Sequence, residues 1–365
     1  MPYRIVAYYF SGSSQRVPYR VTDIPAEKLT HVNFAFFNVS PDGLCIVGDP
    51  ALDLEYRYPG DPDGEPYYGH FRQLNLLKQR HPHLQTLMSV GGWGWSGHFS
   101  DAALTAESRA RFAHSCLEHL RLYGFDGVDI DWEYPVAGGM QGNVERPEDR
   151  QNFTALLAEL RRQLDAQGAQ DGRPYLLTVA TPAGVANYGN LELDRIHACL
   201  DWINLMTYDF ASFTAETKFN APLYAEADGY ESCDTAVRDY LAAGIPPEKI
   251  VLGVPFYGRG WLGVPPENDG LHQPFAQAWT DLSGYRDLAR RHIPTMERHW
   301  HVRAQVPWLY DRDEQVMITY DDAESIGIKA DYVKALRLGG MMFWEISQDD
   351  ADCTLLNALY TRLRE

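Results

Sequence analysis

Four carboxylic acids occupy one eight-residue segment of the chain: Asp126, Asp129, Asp131 and Glu133. From Asp129 onward, acidic and apolar residues alternate with the period of two that a β-strand imposes on its side chains. Asp129, Asp131 and Glu133 therefore share one face, with neighbours about 6.6 Å apart. At that spacing in a partly dry interior, each negative charge opposes ionisation of the next, so at least one acid should keep its proton near neutral pH. Such an acid can donate that proton to a substrate.

The position of Glu133 favours it as the general acid. It lies at the C-terminal end of the predicted strand, where parallel α/β barrels build their active sites, and we expect it to be protonated near neutral pH. Asp126 is an odd number of residues from the other three acids, so it does not share their face of the strand. It is predicted to be a structural residue at the start of the strand. A solvated acidic edge strand would show the same alternation. However, a strand inside a βα series is covered on both faces, and three buried carboxyls would be costly for stability alone.

The acidic strand belongs to a regular alternation. Runs of β-branched and aromatic residues are separated by amphipathic stretches with helical spacing, which is typical of βα units around a parallel sheet. Gly124, Gly168 and Gly244 are predicted to end helices in the left-handed conformation. The pattern predicts eight strands, at 4–9, 31–38, 85–90, 127–132, 175–181, 202–208, 250–256 and 340–346. It predicts helices at 71–80, 107–122, 147–167, 233–243, 325–336 and 354–363.

Eight strands with intervening helices predict an α/β fold, the (β/α)8 TIM barrel. Such a barrel needs about 250 residues, so it leaves about 115 of the 365 for insertions. One insertion is predicted at 40–69 and another at 258–320, after strand seven. The second is long and aromatic enough for a small α+β subdomain on the rim. The predicted domains are therefore a catalytic barrel at 1–257 and 321–365 and an insertion subdomain at 258–320.

Four motifs of the chain resemble glycoside hydrolase family 18, the chitinase family. The acidic segment matches the family's Asp-x-x-Asp-x-Asp-x-Glu hallmark at every position. The family's Ser-x-Gly-Gly motif on strand three is matched at 89–92, and its Met-x-Tyr-Asp motif on strand six is matched at 206–209. Its tryptophan on strand eight is matched by Trp344. The segment 254–259, followed by a long insertion, is similar to the subfamily with an added α+β subdomain. The motifs keep the family's order along nearly the whole chain.

The resemblance implies a retaining chitinase that cleaves β-1,4 linkages between N-acetylglucosamine units with the help of the substrate's own 2-acetamido group. Glu133 would protonate the leaving oxygen, and the acetamido oxygen would attack C1 to give an oxazolinium ion. Asp131 would hold the acetamido N–H and share a proton with Asp129, while Tyr208 would donate to the acetamido oxygen. The resemblance implies no cofactor and no metal.

The resemblance also implies residues that contact the sugar or support the acids. Trp93 would stack on a sugar on the leaving-group side, Trp344 would lie beneath the twisted ring, and Ser89 would hydrogen-bond the Asp129–Asp131 pair. For each aromatic residue, the alternative is a place in the hydrophobic core. The implied binding residues are Tyr8, Phe36, Ser89, Trp93, Tyr134, Met206, Asp209, Tyr257, Arg259 and Trp344.

Two other functions stay open. One is a sugar-binding lectin on the same barrel, although such proteins typically lack the acid that Glu133 supplies here. The other is an endo-β-N-acetylglucosaminidase acting on N-glycans, which usually lacks the long insertion and the strand-eight tryptophan.

A Gly-x-Gly-x-x-Gly pattern at 92–97 matches the dinucleotide fingerprint. We set it aside, because its tryptophans would obstruct a pyrophosphate and no acid ends a strand about 20 residues on.

The charge composition of the chain limits the classes of molecule that it could bind. The 32 Lys and Arg against 50 Asp and Glu give a formal net charge of −18, which repels nucleic-acid backbones and anionic membranes. The resemblance implies chitin or N-acetylglucosamine oligosaccharides as partners of a monomeric chain.

Residues 1–4 lead directly into a predicted strand, so no export signal is predicted. The cellular location stays open, and would be extracellular if a signal peptide had been removed or another export route were used.

Overall fold

A computed structural model describes residues 3–17, 19–280, 282 and 284–365. Three residues of the predicted barrel range, Met1, Pro2 and Pro18, and two of the predicted insertion, Asp281 and Ser283, lie outside the described residues. The strands are β1 Arg4–Phe10, β2 His31–Val39, β3 Cys45–Val47, β4 Gln85–Gly91, β5 Gly127–Asp131, β6 Leu176–Pro182, β7 Trp202–Met206, β8 Ile250–Pro255, β9 Arg259–Leu262, β10 Gln277–Trp279, β11 Glu297–His301, β12 Val306–Asp311, β13 Val316–Thr319 and β14 Gly340–Trp344.

The α-helices follow the strands in the expected alternation. They are α1 Ser13–Arg16, α2 Gly69–Arg80, α3 Phe99–Ala103, α4 Ala106–Tyr123, α5 Asp149–Asp171, α6 Val185–Tyr188, α7 Leu193–Ile196, α8 Cys233–Ala242, α9 Tyr285–Asp287, α10 Ala323–Ala335 and α11 Thr354–Arg364. Short 3₁₀ or π-helical turns lie at Val21–Asp23, Ala26–Lys28, Ala51–Glu55, Pro247–Lys249, Glu267–Gly270, Leu288–His292 and Ile346–Gln348. Among the described residues, no helix combines the length and the hydropathy that crossing a bilayer requires.

One nine-stranded sheet contains all eight predicted strands and the short β3. Its order is β1-β14-β8-β7-β6-β5-β4-β2-β3, and β1 also pairs with β2. The pairings β1–β2, β2–β4, β4–β5, β5–β6 and β8–β14 are parallel. A cyclic order of eight strands with helices between them is the (β/α)8 fold, so the predicted fold class is confirmed.

The helix ends differ from the prediction at one glycine. Gly124 and Gly244 have φ values of 74° and 91°, as predicted for residues that end helices. The prediction for Gly168 is wrong, because α5 continues to Asp171 and Gly172, with φ 68°, ends it. A Cβ at Gly168 would lie 2.6 Å from the carbonyl oxygen of Arg173. Gly168 therefore permits a close approach of the returning chain and does not supply a left-handed turn.

The chain divides into two compact units, of which the first contains Val6–Asn204 and Ala243–Ile245. Its apolar side chains pack between strands and helices. For example, the ring of Phe37 stacks on that of Phe71 with 5.3 Å between the ring centroids. The ring of Phe34 contacts Phe71 edge-on, with 5.0 Å between the centroids. On β5, Val128 and Ile130 are fully buried. Burial of these two side chains puts the acids of β5 on the opposite face.

The second compact unit contains the described residues of Met1–Ile5, Leu205–Ala242 and Pro246–Glu365. It carries an antiparallel sheet of five strands in the order β10-β9-β13-β12-β11. Trp261, Trp308, Tyr310 and Met317 are buried together in its core. The α+β character predicted for the insertion after strand seven is thus confirmed. The domain bounds at 257/258 and 320/321 stay a prediction.

Candidate active site

Asp129 lies at the centre of a row of polar side chains in the first unit. Ser89 on β4 and Thr178 on β6 stand directly opposite it in the sheet register, so that parallel pairing alone brings them beside its carboxylate. Ser89 Oγ donates to Oδ2 over 2.8 Å, and Thr178 Oγ1 donates to Oδ1 over 2.5 Å. Tyr8 and Asn204 donate to Oδ2 and Oδ1 over 2.7 and 3.1 Å. The buried carboxylate therefore accepts four hydrogen bonds.

Asp131 has a different environment, although it lies only two residues further along the same face. Its side chain is 4% exposed, and among the described residues its Oδ1 has no hydrogen-bond partner. Burial raises the pKa of Asp131 well above its ordinary value, and the charges of Glu133 and Asp129 raise it further. Burial also raises the pKa of Asp129, but the four hydrogen bonds act in the opposite direction. The surroundings of Asp131 therefore favour its protonated form more than those of Asp129 do.

Glu133 lies two residues beyond Asp131, the last residue of β5, and is half-buried. Its backbone N–H donates to Ser96 Oγ over 2.8 Å, and its carbonyl oxygen accepts from Asn143 Nδ2 over 3.1 Å. Its charge raises the pKa of Asp131, so the two carboxyls interact electrostatically. The backbone of Glu133 is thus held on both sides just beyond the C-terminal end of β5.

The Ser-x-Gly-Gly motif packs against the acidic strand. Gly91 and Gly92 have φ values of 108° and 76°, which residues with a Cβ rarely adopt. A Cβ at Gly91 would lie 2.3 Å from the carbonyl oxygen of Asp131, and one at Gly92 would lie 2.6 Å from the ring of Phe36. Gly92 N–H donates to the same oxygen of Asp131 over 2.7 Å. The two glycines therefore let the chain turn directly against Asp131.

Asp126, the first acid of the motif, is part of an ion-pair cluster. Its carboxylate lies 2.5 Å from Lys78 Nζ and 3.1 Å from Arg173 Nη1. It also accepts the backbone N–H of Thr86 over 2.8 Å. These contacts join α2 and the segment before β6 to the base of β5, which agrees with the structural role predicted for Asp126.

The second unit contains a polar cluster around Asp209. Tyr257 Oη donates to Asp209 Oδ1 over 2.6 Å, and Arg259 Nε and Nη2 donate to the same oxygen over 2.8 and 2.6 Å. Asp209 has a φ of 67°, and its backbone N–H donates to Asn220 Oδ1 over 3.2 Å. Burial, and then the charge of Asp209, raise the pKa of Tyr257 well above its ordinary value. Tyr257 is therefore a neutral hydrogen-bond donor.

The remaining predicted residues of the second unit follow β7 or end β14. Met206 is the last residue of β7 and is buried. Tyr208 is half-buried, with its hydroxyl 3.8 Å from Met342 Sδ and its ring edge-on to Tyr257 at 6.3 Å. Trp344, the last residue of β14, is also half-buried. These side chains share the C-terminal ends of their strands.

The predicted aromatic residues of the first unit differ in exposure. Tyr8 is 1% exposed and contacts Asp129 through its hydroxyl. Phe36 and Tyr134 are half-buried, whereas Trp93 is 41% exposed. Trp93 is thus the most exposed aromatic residue of this set, and contact of Tyr8 with a sugar stays a prediction.

Three supporting residues were not found from the sequence: Ser96, Thr178 and Asn204. Asn204 is two residues before Met206 and shares its face of the strand. The strand period of two could therefore have identified Asn204 as a residue on the site-facing side. Thr178 lies on a predicted strand, but its contact with Asp129 depends on sheet register, which periodicity does not give. Ser96 Oγ accepts from Glu133 N–H and donates to the carbonyl oxygen of Gly92, a loop contact that has no periodic signature.

Comparison with known proteins agrees with the motifs. Residues 4–349 match the family model for glycosyl hydrolases family 18. Chitinase A1 of Niallia circulans is 42% identical over an alignment of 405 positions, which covers 98% of this chain and 58% of that protein. Chitinase B of Serratia marcescens is 33% identical, with 97% of this chain and 83% of that protein covered. The chain thus spans less than two thirds of the Niallia chitinase.

A solved structure of chitinase ChiA74 from Bacillus thuringiensis superimposes with a TM-score of 0.93 at 38% identity, covering 100% of this chain and 70% of that one. A family 18 N-acetylglucosaminidase from Paenibacillus barengoltzii superimposes with a TM-score of 0.85 at 36% identity, covering 99% of both chains. The family match, the sequence relatives and the shared fold all lead to one assignment. This chain belongs to glycosyl hydrolases family 18, a family of glycoside hydrolases.

Proposed function

We propose that the protein is a retaining chitinase that hydrolyses β-1,4 linkages between N-acetylglucosamine units. The observation that carries the proposal is the row Asp129, Asp131 and Glu133, in which a buried Asp131 with a raised pKa lies between two other acids. An array of this kind would be costly in a purely structural role. The chitinase names of related proteins support the substrate class.

The proposed reaction has two steps, and one residue transfers the proton in both. In the first, Glu133 donates its proton to the glycosidic oxygen, the C1–O bond breaks, and the acetamido carbonyl oxygen bonds to C1. The product is an oxazolinium ion, and Glu133 is left as a carboxylate. In the second, Glu133 accepts a proton from the water that attacks C1. The acetamido group is restored, and two inversions give net retention of the β-configuration.

The other acids stabilise the charge that develops on the sugar. Asp131 accepts the acetamido N–H and, as its proton moves toward Asp129, gains the negative charge that balances the oxazolinium ion. The four donors on Asp129 support a charge at that position in the resting state. Tyr208 donates to the acetamido oxygen and orients it toward C1.

The binding residues are assigned roles by the same motifs. Asp209, held by Tyr257 and Arg259, contacts the twisted sugar ring, and Arg259 also reaches the substrate. Trp344 lies beneath the ring, because its flat face complements the apolar C–H surface of a pyranose. Phe36, Tyr134 and Met206 are the further lining residues, together with Ser89 and Tyr8, which also hydrogen-bond Asp129.

A side-by-side assay separates the proposal from its alternatives. We expect hydrolysis of soluble chitin oligosaccharides and of colloidal chitin, with no release of glycans from an N-glycoprotein. Release of N-glycans without cleavage of chitin would instead establish the endo-β-N-acetylglucosaminidase. Binding of chitin oligosaccharides without any cleavage would establish the lectin.

Replacement of Trp93 by alanine should lower kcat/KM on long chitin oligosaccharides about two- to tenfold, because a sugar would lose its stacking partner. Its exposure of 41% predicts little change in the free energy of unfolding. Trp95 is the matched control, since its ring packs against Gly48. Trp95→Ala should mainly lower stability, as followed by urea unfolding. If Trp93→Ala changed stability and not activity, Trp93 would be a packing residue.

A further inference from the structure

The side chain of Asn204 lies between an indole and a carboxylate in the first unit. Trp202 Nε1–H donates to Asn204 Oδ1 over 2.9 Å, and Asn204 Nδ2 lies 3.1 Å from Asp129 Oδ1. An indole N–H can only donate a hydrogen bond. The atom that faces Trp202 must therefore be the amide oxygen, so the NH2 group faces Asp129. All three side chains are buried from bulk solvent.

This amide differs chemically from the other three partners of Asp129. Tyr8, Ser89 and Thr178 present hydroxyl groups, each of which can donate or accept. The NH2 of Asn204 can only donate, so a proton on the Asp129 oxygen that it faces would oppose it directly. Asp131, by contrast, has no hydrogen-bond partner for its Oδ1 among the described residues, so nothing there opposes a proton.

We propose that Trp202 and Asn204 are positioning residues: the indole fixes the amide as a donor, and that donor keeps Asp129 ionised and the proton of the inner pair on Asp131. Neither residue need touch a substrate. The assignment of the proton stands on the donor geometry alone. Its consequence for catalysis rests on the proposed function, because only there does Asp131 give up its proton toward Asp129 during the reaction.

Loss of the amide should make Asp129 easier to protonate. A hydrogen bond to an ionised group is stronger than one between neutral groups, so its removal raises the pKa of Asp129. On acidification, the inner pair would then take up its second proton at a higher pH than in the wild type. By the proposed mechanism, activity would be lost at that higher pH, because a protonated Asp129 cannot receive the proton of Asp131.

The direct test is a ¹³C NMR titration of carboxyl groups in aspartate-labelled protein, with Asp129 assigned through Asp129→Asn. Asn204→Leu keeps the volume and removes the donor, and the midpoint of Asp129 should rise by about one to two pH units. Trp202→Phe frees the amide to turn and should give a smaller rise. Asn33→Leu is the matched control, because Asn33 is a buried asparagine on β2 with no hydrogen-bond partner among the described residues.

The acidic limb of the kcat/KM profile on chitin oligosaccharides should move to higher pH in Asn204→Leu and stay in place in Asn33→Leu. An unchanged Asp129 midpoint in folded Asn204→Leu, or an equal rise in Asn33→Leu, would overturn the proposal. If Asn204→Leu failed to fold by circular dichroism, an unchanged midpoint in Trp202→Phe would overturn it instead. A shifted midpoint in a protein that cleaves no chitin would contradict the proposed function and leave the positioning role standing.

Discussion

Replacing Glu133 by glutamine should lower kcat on chitin oligosaccharides about 10²- to 10⁴-fold and leave their binding largely intact. Glutamine keeps the size of the protonated acid but has no proton to transfer. It can neither assist the departing oxygen nor activate the water that opens the oxazolinium ion. Initial rates of oligosaccharide cleavage measure the first effect, and isothermal titration calorimetry measures the binding.

Glu145→Gln is the matched control for this variant. Glu145 lies on the segment that follows β5 and is exposed, so the same chemical change there should leave kcat and affinity as they are. Unchanged turnover in Glu133→Gln would refute the role of Glu133. An equal loss in both variants would point to a general effect on the fold.

Asp131→Asn should have the second-largest effect on activity, a loss of about 10²- to 10³-fold in kcat. Asparagine resembles the protonated form of Asp131, which burial favours by raising its pKa, so the resting fold should tolerate it. It cannot become negatively charged, however, and cannot balance the oxazolinium ion. The loss should therefore fall on kcat more than on KM, which steady-state kinetics on soluble oligosaccharides would measure.

The same variant predicts a pH-dependent gain in stability. Burial raises the pKa of Asp131 in the folded state above its unfolded value of about 3.9. The stability that its protonated form contributes is complete below the unfolded pKa and is lost as the pH rises through the folded pKa. Asp131→Asn should therefore gain on the wild type by about 1.4 kcal/mol for each pH unit in that window, measured by urea unfolding from pH 4 upward.

Asp126→Asn serves as the control within the same motif. It weakens the ion pairs with Lys78 and Arg173 and should lower the free energy of unfolding by about 1 to 3 kcal/mol. Its kcat should stay close to that of the wild type, because Asp126 lies at the start of the strand. A large loss of kcat in Asp126→Asn, equal to that of Asp131→Asn, would contradict the separate roles given to the two acids.

The regular elements could be predicted because their signal is local. All eight parallel strands lie where the β-branched runs predict them, since such runs are buried between the sheet and its helices. The errors occur at ends. β7 stops at Met206, two residues before the predicted end, and α5 continues to Asp171. Neither end carries a change in hydrophobic periodicity, so each is decided by the tertiary packing of the following loop.

The acids of the site could be predicted, but not their partners. Parity places Asp129, Asp131 and Glu133 on one face, and the motif names their roles. The donors to Asp129 come from β1, β4, β6 and β7, and which of their residues align with it depends on register. Periodicity does not determine the register. It also cannot distinguish the buried Asp129, which has four hydrogen-bond donors, from the buried Asp131, whose Oδ1 has no partner among the described residues.

The most direct test of the central claim is the configuration of the first product. Proton NMR spectra of a fresh hydrolysate of chitin oligosaccharides, recorded before mutarotation equilibrates the anomers, should show the β-anomer appearing first. That result requires two inversions at C1, which the acetamido oxygen and Glu133 together supply. Initial formation of the α-anomer would contradict the acetamido route and with it the roles given to Glu133 and Asp131.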